Sequence, residues 1–344
     1  MKHLCLFCGL LLAGLFSCRR DAVTNGYFEN VRQVRAESVP IGKVIRLEGI
    51  YKTENYIVLR DGSETAEDLF QVYSCPDFEF LYSFGRRGKG PDEYLMPTVV
   101  KGMPGDRFAF RDHATDRFAT YELTDTGASL IRSFIYKPEG TRFFWEINRL
   151  EDSLYLLKRR DDRWSRREVW SADFRRLVDS LPNTFDLNRT MGDDYFSDFD
   201  DCWIAGCGNR FACAYFFIDR IEFGHVSGGK PVLDTFAGVE RAPDFYRFDR
   251  TTSGVPNVMK NPVYYENLAA GETRVYALYA GIPWKEADEN HSSKVEVYDW
   301  NGTPVMLLEL DRALSHFIVD EKRGTIYGFD VSRSPDSLIR YVYR

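Results

Sequence analysis

This chain of 344 residues contains few histidines and no excess of positive charge. The five histidines stand singly, and none lies in a Ser/His/Asp or HExxH context, so the linear motifs of common hydrolases are absent. Lysine and arginine number 45 against 52 aspartates and glutamates, a formal net charge of −7. This balance argues against a general electrostatic attraction to nucleic acid, which needs clustered positive charge.

Long apolar runs are also missing, because no segment reaches the roughly 20 residues that a membrane-spanning helix requires. The longest run covers residues 4–17, follows a lysine at position 2, and is followed at once by Cys18. A charged start, an apolar core and small residues at its end are the three parts of a secretory signal peptide.

The end of this run resembles the lipobox of bacterial lipoproteins, in the sequence Leu15-Phe16-Ser17-Cys18. In that family a diacylglycerol is attached to the cysteine sulfur, and cleavage leaves the cysteine as the first residue. The resemblance implies a signal peptide over 1–17, a lipidated tether over 18–40, and lipid anchoring at the outer membrane, on the periplasmic side or the cell surface. The alternative is an ordinary cleaved signal in which Cys18 is incidental.

Two of the seven cysteines leave with the signal peptide and Cys18 carries the lipid, so four remain: Cys75, Cys202, Cys207 and Cys213. An exported protein can form disulfides, and the sequence leaves open whether Cys202 pairs with Cys207, with Cys213 or with neither. The C-x₄-C-x₅-C spacing fits a zinc site poorly. We therefore predict no metal and no cofactor.

The mature chain is dominated by short runs rich in Val, Ile, Phe and Tyr, punctuated by Asp, Gly and Asn, while helical periodicity is scarce. The runs group loosely into six units of about 50 residues, the size of a four-stranded propeller blade. Because the last unit shows only three strands, Lys43–Leu47 is predicted to supply its fourth strand. We predict an all-β, six-bladed β-propeller over residues 41–344, closed by this N-terminal strand. A β-sandwich with a second β domain is the alternative.

One glycine-rich segment, residues 84–94, is distinctive: Phe-Gly-Arg-Arg-Gly-Lys-Gly-Pro-Asp-Glu-Tyr. It resembles the G-x-G-x-GPGE-[FY] signature of six-bladed, TolB-like and NHL-like propeller lipoproteins of Gram-negative bacteria. It departs from that signature in Asp92, where the family usually has glycine, and in an extra arginine before Gly88. The resemblance implies the propeller fold and says little about a ligand.

Physically, this segment suits a crossover between two blades. Glycines permit close backbone approach, proline fixes the exit direction, and a glutamate can accept backbone N–H groups across the turn. A phosphate-binding loop is the alternative, but no Lys-Ser/Thr and no helix follow. The predicted structural residues are Gly85, Gly88, Gly90, Pro91, Glu93 and Tyr94.

A second segment, residues 192–203, places five carboxylates among four aromatic residues. Such a mixture suits sugar recognition, with rings stacking on the sugar face, or oxygen ligands around calcium. The spacing is not that of an EF-hand loop, and a surface loop over buried rings is the alternative. The candidate ligand residues are Asp193, Asp194, Tyr195, Asp198, Asp200, Asp201 and Trp203.

These observations favour a membrane-anchored binding platform for a protein or saccharide partner, with no role in nucleic-acid binding and no nominated catalytic residue. The alternative is a cell-envelope hydrolase or lyase acting on a saccharide or peptide at the central mouth of the propeller. Two close carboxylates in a funnel, or a histidine with strongly perturbed titration, would favour the enzyme. A channel filled by apolar side chains would favour the scaffold, and a purely structural envelope component predicts no pocket.

Overall fold

The computed structural model describes residues 27–136, 143–151, 154–160, 165–181, 201–238, 262–283, 293–330 and 337–344. All regular secondary structure within these ranges is β-strand. No helix long and apolar enough to cross a bilayer occurs in this part of the chain. Five of the seven candidate ligand residues lie outside the described residues: Asp193, Asp194, Tyr195, Asp198 and Asp200. Residues 1–17, predicted to be a signal peptide, and Cys18 lie outside them as well.

The strands of the described ranges are short and follow one another closely along the chain. In order they are β1 (Val31–Val34), β2 (Glu37–Val39), β3 (Leu47–Lys52), β4 (Tyr56–Asp61), β5 (Asp68–Ser74), β6 (Phe80–Arg86), β7 (Pro97–Lys101), β8 (Arg107–Asp112), β9 (Arg117–Thr124), β10 (Gly127–Ile135), β11 (Phe143–Arg149), β12 (Leu154–Arg160), β13 (Ser165–Ser171), β14 (Leu177–Ser180), β15 (Cys202–Cys207), β16 (Arg210–Tyr215), β17 (Ile221–Ser227), β18 (Lys230–Ala237), β19 (Pro262–Ala270), β20 (Arg274–Pro283), β21 (Lys294–Asp299), β22 (Pro304–Leu310), β23 (His316–Asp320), β24 (Thr325–Phe329) and β25 (Leu338–Val342).

Hydrogen bonding divides these strands into five sheets, whereas six separate sheets were expected. Four-stranded sheets contain β3–β6, β15–β18, and β23–β25 with β2, and a five-stranded sheet contains β19–β22 with β1. The remaining sheet has eight strands and consists of two antiparallel runs, β7–β10 and β11–β14. A short parallel ladder between β7 and β11 joins the runs, with Val100 opposite Ile147.

The N-terminal strand that joins the last sheet is not the one predicted. β2 pairs antiparallel with β25, placing Glu37 opposite Arg340, and β1 pairs parallel with the outer strand β22. The predicted segment 43–47 instead leads into β3, because Asp61 accepts hydrogen bonds from the backbone of Ile45 and Arg46 at 2.7 and 3.1 Å. The predicted tether over 18–40 therefore includes two strands that are bound into sheets.

The core lies between the faces of neighbouring sheets, which is why many strands are buried on both faces and do not alternate strictly. At one such interface Phe70 packs against Phe108 and Phe110 of the next run, with ring centroids 5.0 and 5.1 Å apart. Paired aromatic rings stabilise a core beyond the burial of their area. Each antiparallel run of strands begins with what we call its first strand, and the first strands are β3, β7, β11, β15, β19 and β23. The first strands of successive runs contact one another: β7 with β11, β11 with β15, β15 with β19, β19 with β23, and β23 with β3.

Two buried aspartates, at the ends of β4 and β8, hold the segments that lead into β3 and β7. Asp112, at the end of β8, is fully buried and accepts hydrogen bonds from the backbone N–H groups of Leu95 and Met96 at 2.9 and 2.6 Å. Its other oxygen accepts the N–H and hydroxyl of Thr115 at 3.0 and 2.8 Å. Asp61 holds residues 45 and 46 in the same way, so one device is repeated in consecutive runs.

We expect Asp112→Ala to lower the free energy of unfolding by about 3 kcal/mol or more, because four donors lose their acceptor inside the protein. Asp112→Asn keeps one acceptor oxygen and should cost less. The matched control is Asp92→Ala, whose side chain is 87% exposed and should change stability by less than about 0.5 kcal/mol. Denaturant unfolding measures all three, and equal midpoints for the two alanine variants would contradict the assignment.

Candidate functional site

A funnel of about 780 Å³ opens at one face of the molecule. Each of the six first strands, β3, β7, β11, β15, β19 and β23, contributes to its wall. The wall is formed mainly by the ends of these strands and the turns that follow them: residues 50–55, 99–105, Asn148, 205–208, 268–272 and 317–323. Polar and apolar groups share the wall, so the funnel is not filled by apolar side chains.

Asp106 fixes the two neighbouring turns after β3 and β7. One of its oxygens accepts hydrogen bonds from the Thr53 hydroxyl at 2.9 Å and the Asn55 backbone N–H at 2.7 Å. The other accepts the Asn55 side-chain amide at 2.7 Å. A carboxylate that receives three donors holds both turns in one arrangement. This side of the funnel is therefore preorganised.

Asp320 and Glu321 play the corresponding part on the neighbouring stretch of wall, at the end of β23. Asp320 is bound by Arg323 at 2.7 Å and lies 3.8 Å from Lys52. Burial alone raises the pKa of Asp320, but hydrogen bonds from Arg323 and the nearby Lys52 charge outweigh it and hold the pKa below its usual value. Glu321 accepts the backbone N–H and hydroxyl of Thr273 at 2.9 and 2.8 Å.

Deeper between the first strands, Glu146 joins three neighbouring runs. It binds Lys101 of β7 at 2.8 Å and accepts the backbone N–H of Ile204 in β15 at 2.9 Å. Burial raises the pKa of Glu146, yet the charges of Lys101 and Lys158 prevail and lower it. The Asn148 amide donates to the carbonyl of the same Ile204 at 3.2 Å. Glu146 thus remains ionised and locks β7, β11 and β15 together.

Two partly buried histidines carry strongly lowered pKa values. Burial, together with the positive charge of Lys101, lowers the pKa of His316 to about 4, and its ring stacks on Phe329 at 5.1 Å. His113 is lowered to about 4 by burial and by Arg111, and its ring lies 3.9 Å from that of Phe143. Both imidazoles are therefore neutral at pH 7.

Two glycines leave part of the turn after β7 without side chains. Gly102 has φ +78°, and a Cβ there would lie 3.1 Å from the carbonyl oxygen of Arg149. Gly105, in the same turn, has φ +60° and open space around it. At these two positions the backbone reaches the wall without a side chain over it, and the Gly105 carbonyl accepts the N–H of Glu54.

The predicted crossover segment links β6 to β7 and lies away from the funnel. Glu93 Oε2 accepts the backbone N–H of Gly90 at 2.8 Å, and a Cβ on Gly88 would overlap this carboxylate. Tyr94 is fully buried and its hydroxyl lies 2.9 Å from that of Tyr121. Gly85 has φ +75°, and Pro91 lies within the turn that the Glu93 N–H closes on the Gly90 carbonyl.

Two of the candidate ligand residues, Asp201 and Trp203, are described, and the side chains of both bind other residues of the fold. Asp201 pairs with Lys158 at 3.2 Å. The indole N–H of Trp203 donates to the carbonyl of Tyr265 at 3.0 Å, and Lys158 lies over the Trp203 ring. Within the described ranges, no group of three His, Cys, Asp or Glu residues is placed to hold a metal ion.

The four cysteines after the signal segment, Cys75, Cys202, Cys207 and Cys213, are free thiols in the structure. Cys202 and Cys213 are buried on the neighbouring strands β15 and β16, whereas Cys207 lies at the funnel wall. Neither disulfide left open by the sequence is formed here. Burial raises the pKa of the Cys207 thiol, which makes it a weak nucleophile.

Sequence reasoning did not nominate the residues that build the funnel, such as Asp106, Glu146 and Asp320. They come from segments far apart in the chain, and no fixed spacing connects them. A weak signal was present: the dipeptide Arg-Asp ends two similar strands, at 60–61 and 111–112. That repeat marks buried carboxylates at equivalent positions, although not the funnel itself.

No protein-family model and no curated protein matches the chain. Solved structures do resemble it. A Bacteroides fragilis protein described as exported aligns with TM-score 0.53 and 13% identity, over 92% of this chain and 100% of its own. The β-propeller domain of Cps50 (Swd1) from Myceliophteria thermophila aligns with TM-score 0.51 and 8% identity, over 90% and 98%. A luciferin-regenerating enzyme aligns with TM-score 0.52 and 9% identity, over 90% and 95%.

The lowered pKa of His316 predicts a pH dependence of stability. The unfolded chain binds a proton near pH 6.5, whereas the folded protein resists it until about pH 4. A neutral His316 therefore costs the folded protein no stability above about pH 6.5. As the pH falls below that value, the free energy of unfolding decreases. Between pH 7 and pH 5 we expect a loss of about 2 kcal/mol from this group.

Denaturant unfolding at the two pH values measures this loss in the wild type and in His316→Gln, which cannot titrate. The variant should show a smaller difference between the two pH values. His225→Gln is the control, because His225 is paired with Asp234 at the surface. An unchanged pH dependence in His316→Gln would contradict the assignment.

The similarity to these solved structures shows the fold and nothing finer. The alternative of a β-sandwich is therefore set aside, and the chain is an all-β propeller.

Proposed function

We propose that this protein is a bacterial lipoprotein, anchored through Cys18, whose propeller binds a protein or saccharide ligand in the funnel. The observation that carries the proposal is the funnel wall, to which all six first strands contribute. A rigid ring of strands that presents turns around one opening is suited to recognition by variable turns. Placement at the outer membrane, on the periplasmic side or the cell surface, is part of the proposal.

We further propose that the ring has six blades and is closed. The eight-stranded sheet counts as two blades, because its antiparallel runs meet only through the short β7–β11 ladder. Pairing of β2 with β25 completes a fourth strand in the last blade, and β23 contacts β3 of the first. Such closure leaves few exposed sheet edges. The relation to TolB-like and NHL-like propeller lipoproteins likewise remains a proposal.

The funnel favours binding over acid–base chemistry. Two carboxylates of its wall, Asp320 and Glu321, are occupied by structural donors, as is Asp106 beside the wall. A perturbed histidine was the signal expected of a hydrolase or lyase, and His316 and His113 do show it. Their pKa values result from burial, however, and their rings are stacked on Phe329 and Phe143.

Export supports the lipoprotein part of the proposal. The structurally similar Bacteroides fragilis protein is described as exported, and residues 1–17 of this chain form the predicted signal peptide. Because Phe28 is buried against Tyr298, the tether proposed here covers residues 18–26 rather than 18–40. Nine residues would connect the lipid to the propeller.

A ligand that occupies the funnel should stabilise the folded protein, by about 2.7 kcal/mol at a hundred times its Kd. We expect a panel of envelope glycans and peptides, tested by thermal unfolding of the mature protein, to contain members that raise the Tm. Met103→Trp fills the funnel wall and should abolish the shift. Leu130→Trp, on the exposed outer strand β10, is the matched control and should retain it; equal shifts in both variants would place the ligand elsewhere.

Cys18→Ala removes the thiol that the lipid requires. We expect the protein to move from the membrane fraction to the soluble fraction, since each buried CH₂ of an acyl chain contributes about 0.8 kcal/mol to anchoring. Fractionation followed by immunoblotting measures the change, with Cys75→Ala as the control that leaves the anchor intact. A Cys18→Ala protein that stays in the membrane fraction would defeat the lipoprotein proposal without touching the funnel.

A further inference from the structure

A second cavity, of about 250 Å³, lies between the sheet of β19–β22 and the sheet of β23–β25. Three arginines from separate segments line it: Arg32 on β1, Arg274 at the start of β20, and Arg344 after β25. We call this cavity the arginine pocket. Its other lining residues are Thr273, Met306, Glu321 and Tyr343.

The positive charges of the arginine pocket are not neutralised by the residues that line it. Arg32 donates to the carbonyl of Tyr343 at 2.6 Å, and Arg344 donates to the carbonyl of Glu321 at 2.6 Å. Carbonyl groups orient a guanidinium without cancelling its charge. The guanidinium of Arg274 makes no ion pair or hydrogen bond with the part of the chain that the structure describes, whereas its backbone carbonyl accepts the Gly271 N–H.

Glu321 is the one side-chain carboxylate among the described lining residues, and its oxygens are already bound by three donors. Thr273 supplies its N–H and hydroxyl, and Tyr276 adds its hydroxyl at 3.3 Å. Three guanidinium groups therefore face one occupied carboxylate. Guanidinium groups match the geometry of phosphate oxygens and bind them through paired hydrogen bonds, so the charge and shape suit a phosphate group.

The position of the pocket relative to the predicted anchor supplies the source of that phosphate. Arg32 lies five residues after Tyr27, and Cys18 lies nine residues before Tyr27. Nine residues span at most about 30 Å when fully extended, and about 17 Å as a flexible coil. A lipid on Cys18 therefore keeps this edge of the propeller close to the bilayer surface.

We propose that the arginine pocket binds the phosphate of an anionic phospholipid headgroup and so holds the propeller against the membrane. The orientation rests on the proposed lipidation of Cys18, whereas headgroup binding itself does not. Glu321 lines both the arginine pocket and the funnel. Headgroup binding would therefore place the mouth of the funnel beside the bilayer.

The test uses the mature protein in micelles of a neutral detergent, with calorimetric titration of short-chain phosphatidylglycerol, short-chain phosphatidylcholine and inorganic phosphate. We expect phosphatidylglycerol to bind more tightly than phosphatidylcholine. The double variant Arg32→Gln with Arg274→Gln should bind it about 30-fold more weakly, because each arginine near an anionic headgroup contributes about fivefold. Arg274→Lys keeps the charge but not the planar fork and should fall between the two.

The matched control is Arg132→Gln with Arg175→Gln, which changes the net charge equally at exposed positions on other sheets. It should bind phosphatidylglycerol as the wild type does, and thermal unfolding confirms that both double variants are folded. Equal affinities of the two double variants would overturn the proposal. So would binding of inorganic phosphate without binding of phosphatidylglycerol, or no binding of either. Mass spectrometry of the N-terminal peptide tests lipidation separately.

Discussion

The structure depends on buried carboxylates that accept hydrogen bonds from backbone N–H groups of neighbouring segments. Asp61, Asp112 and Glu146 are at most 6% exposed, and each accepts at least one such N–H group. Apolar contacts between sheets are non-directional and leave the relative position of two sheets loosely defined. A buried carboxylate is costly unless several donors surround it, so it permits only the arrangement in which those donors converge.

The same interactions determine what the funnel offers to a ligand. Asp106 and Asp320 are fixed by donors from neighbouring turns, so their oxygens serve the wall rather than the opening. Gly102 and Gly105 place no side chain over the wall, and the side chains of Lys322 and Glu272 are about 70% exposed. Recognition by such a wall relies on shape, backbone hydrogen bonds and a few charges at the rim. This pattern suits an extended peptide or a saccharide better than a small reactive substrate.

The sequence predicted the all-β class well, because runs of Val, Ile, Phe and Tyr between turn residues recur along the whole chain. The prediction was wrong about the strand that joins the last sheet, which is Glu37–Val39 and not Lys43–Leu47. A three-residue polar strand carries no recognisable pattern, and its pairing is decided by the free edge of β25. The funnel could not be predicted for a related reason: Lys52 and Asp320 are far apart in the chain and meet only when β3 and β23 lie side by side.

The path of the N-terminal segment connects the fold to the proposed anchor. Residues 31–39 run along the outer edges of two neighbouring sheets, first pairing with β22 and then with β25. Arg32 donates to the carbonyl of Tyr343, and Arg340 pairs with Glu37, so the segment is fixed by polar contacts as well as by strand pairing. A pull on a lipidated Cys18 would thus be transmitted to the edges of two sheets together. An anchor attached in this way limits rotation of the propeller relative to the bilayer, whereas a tether ending in a loose terminus would leave it free to turn.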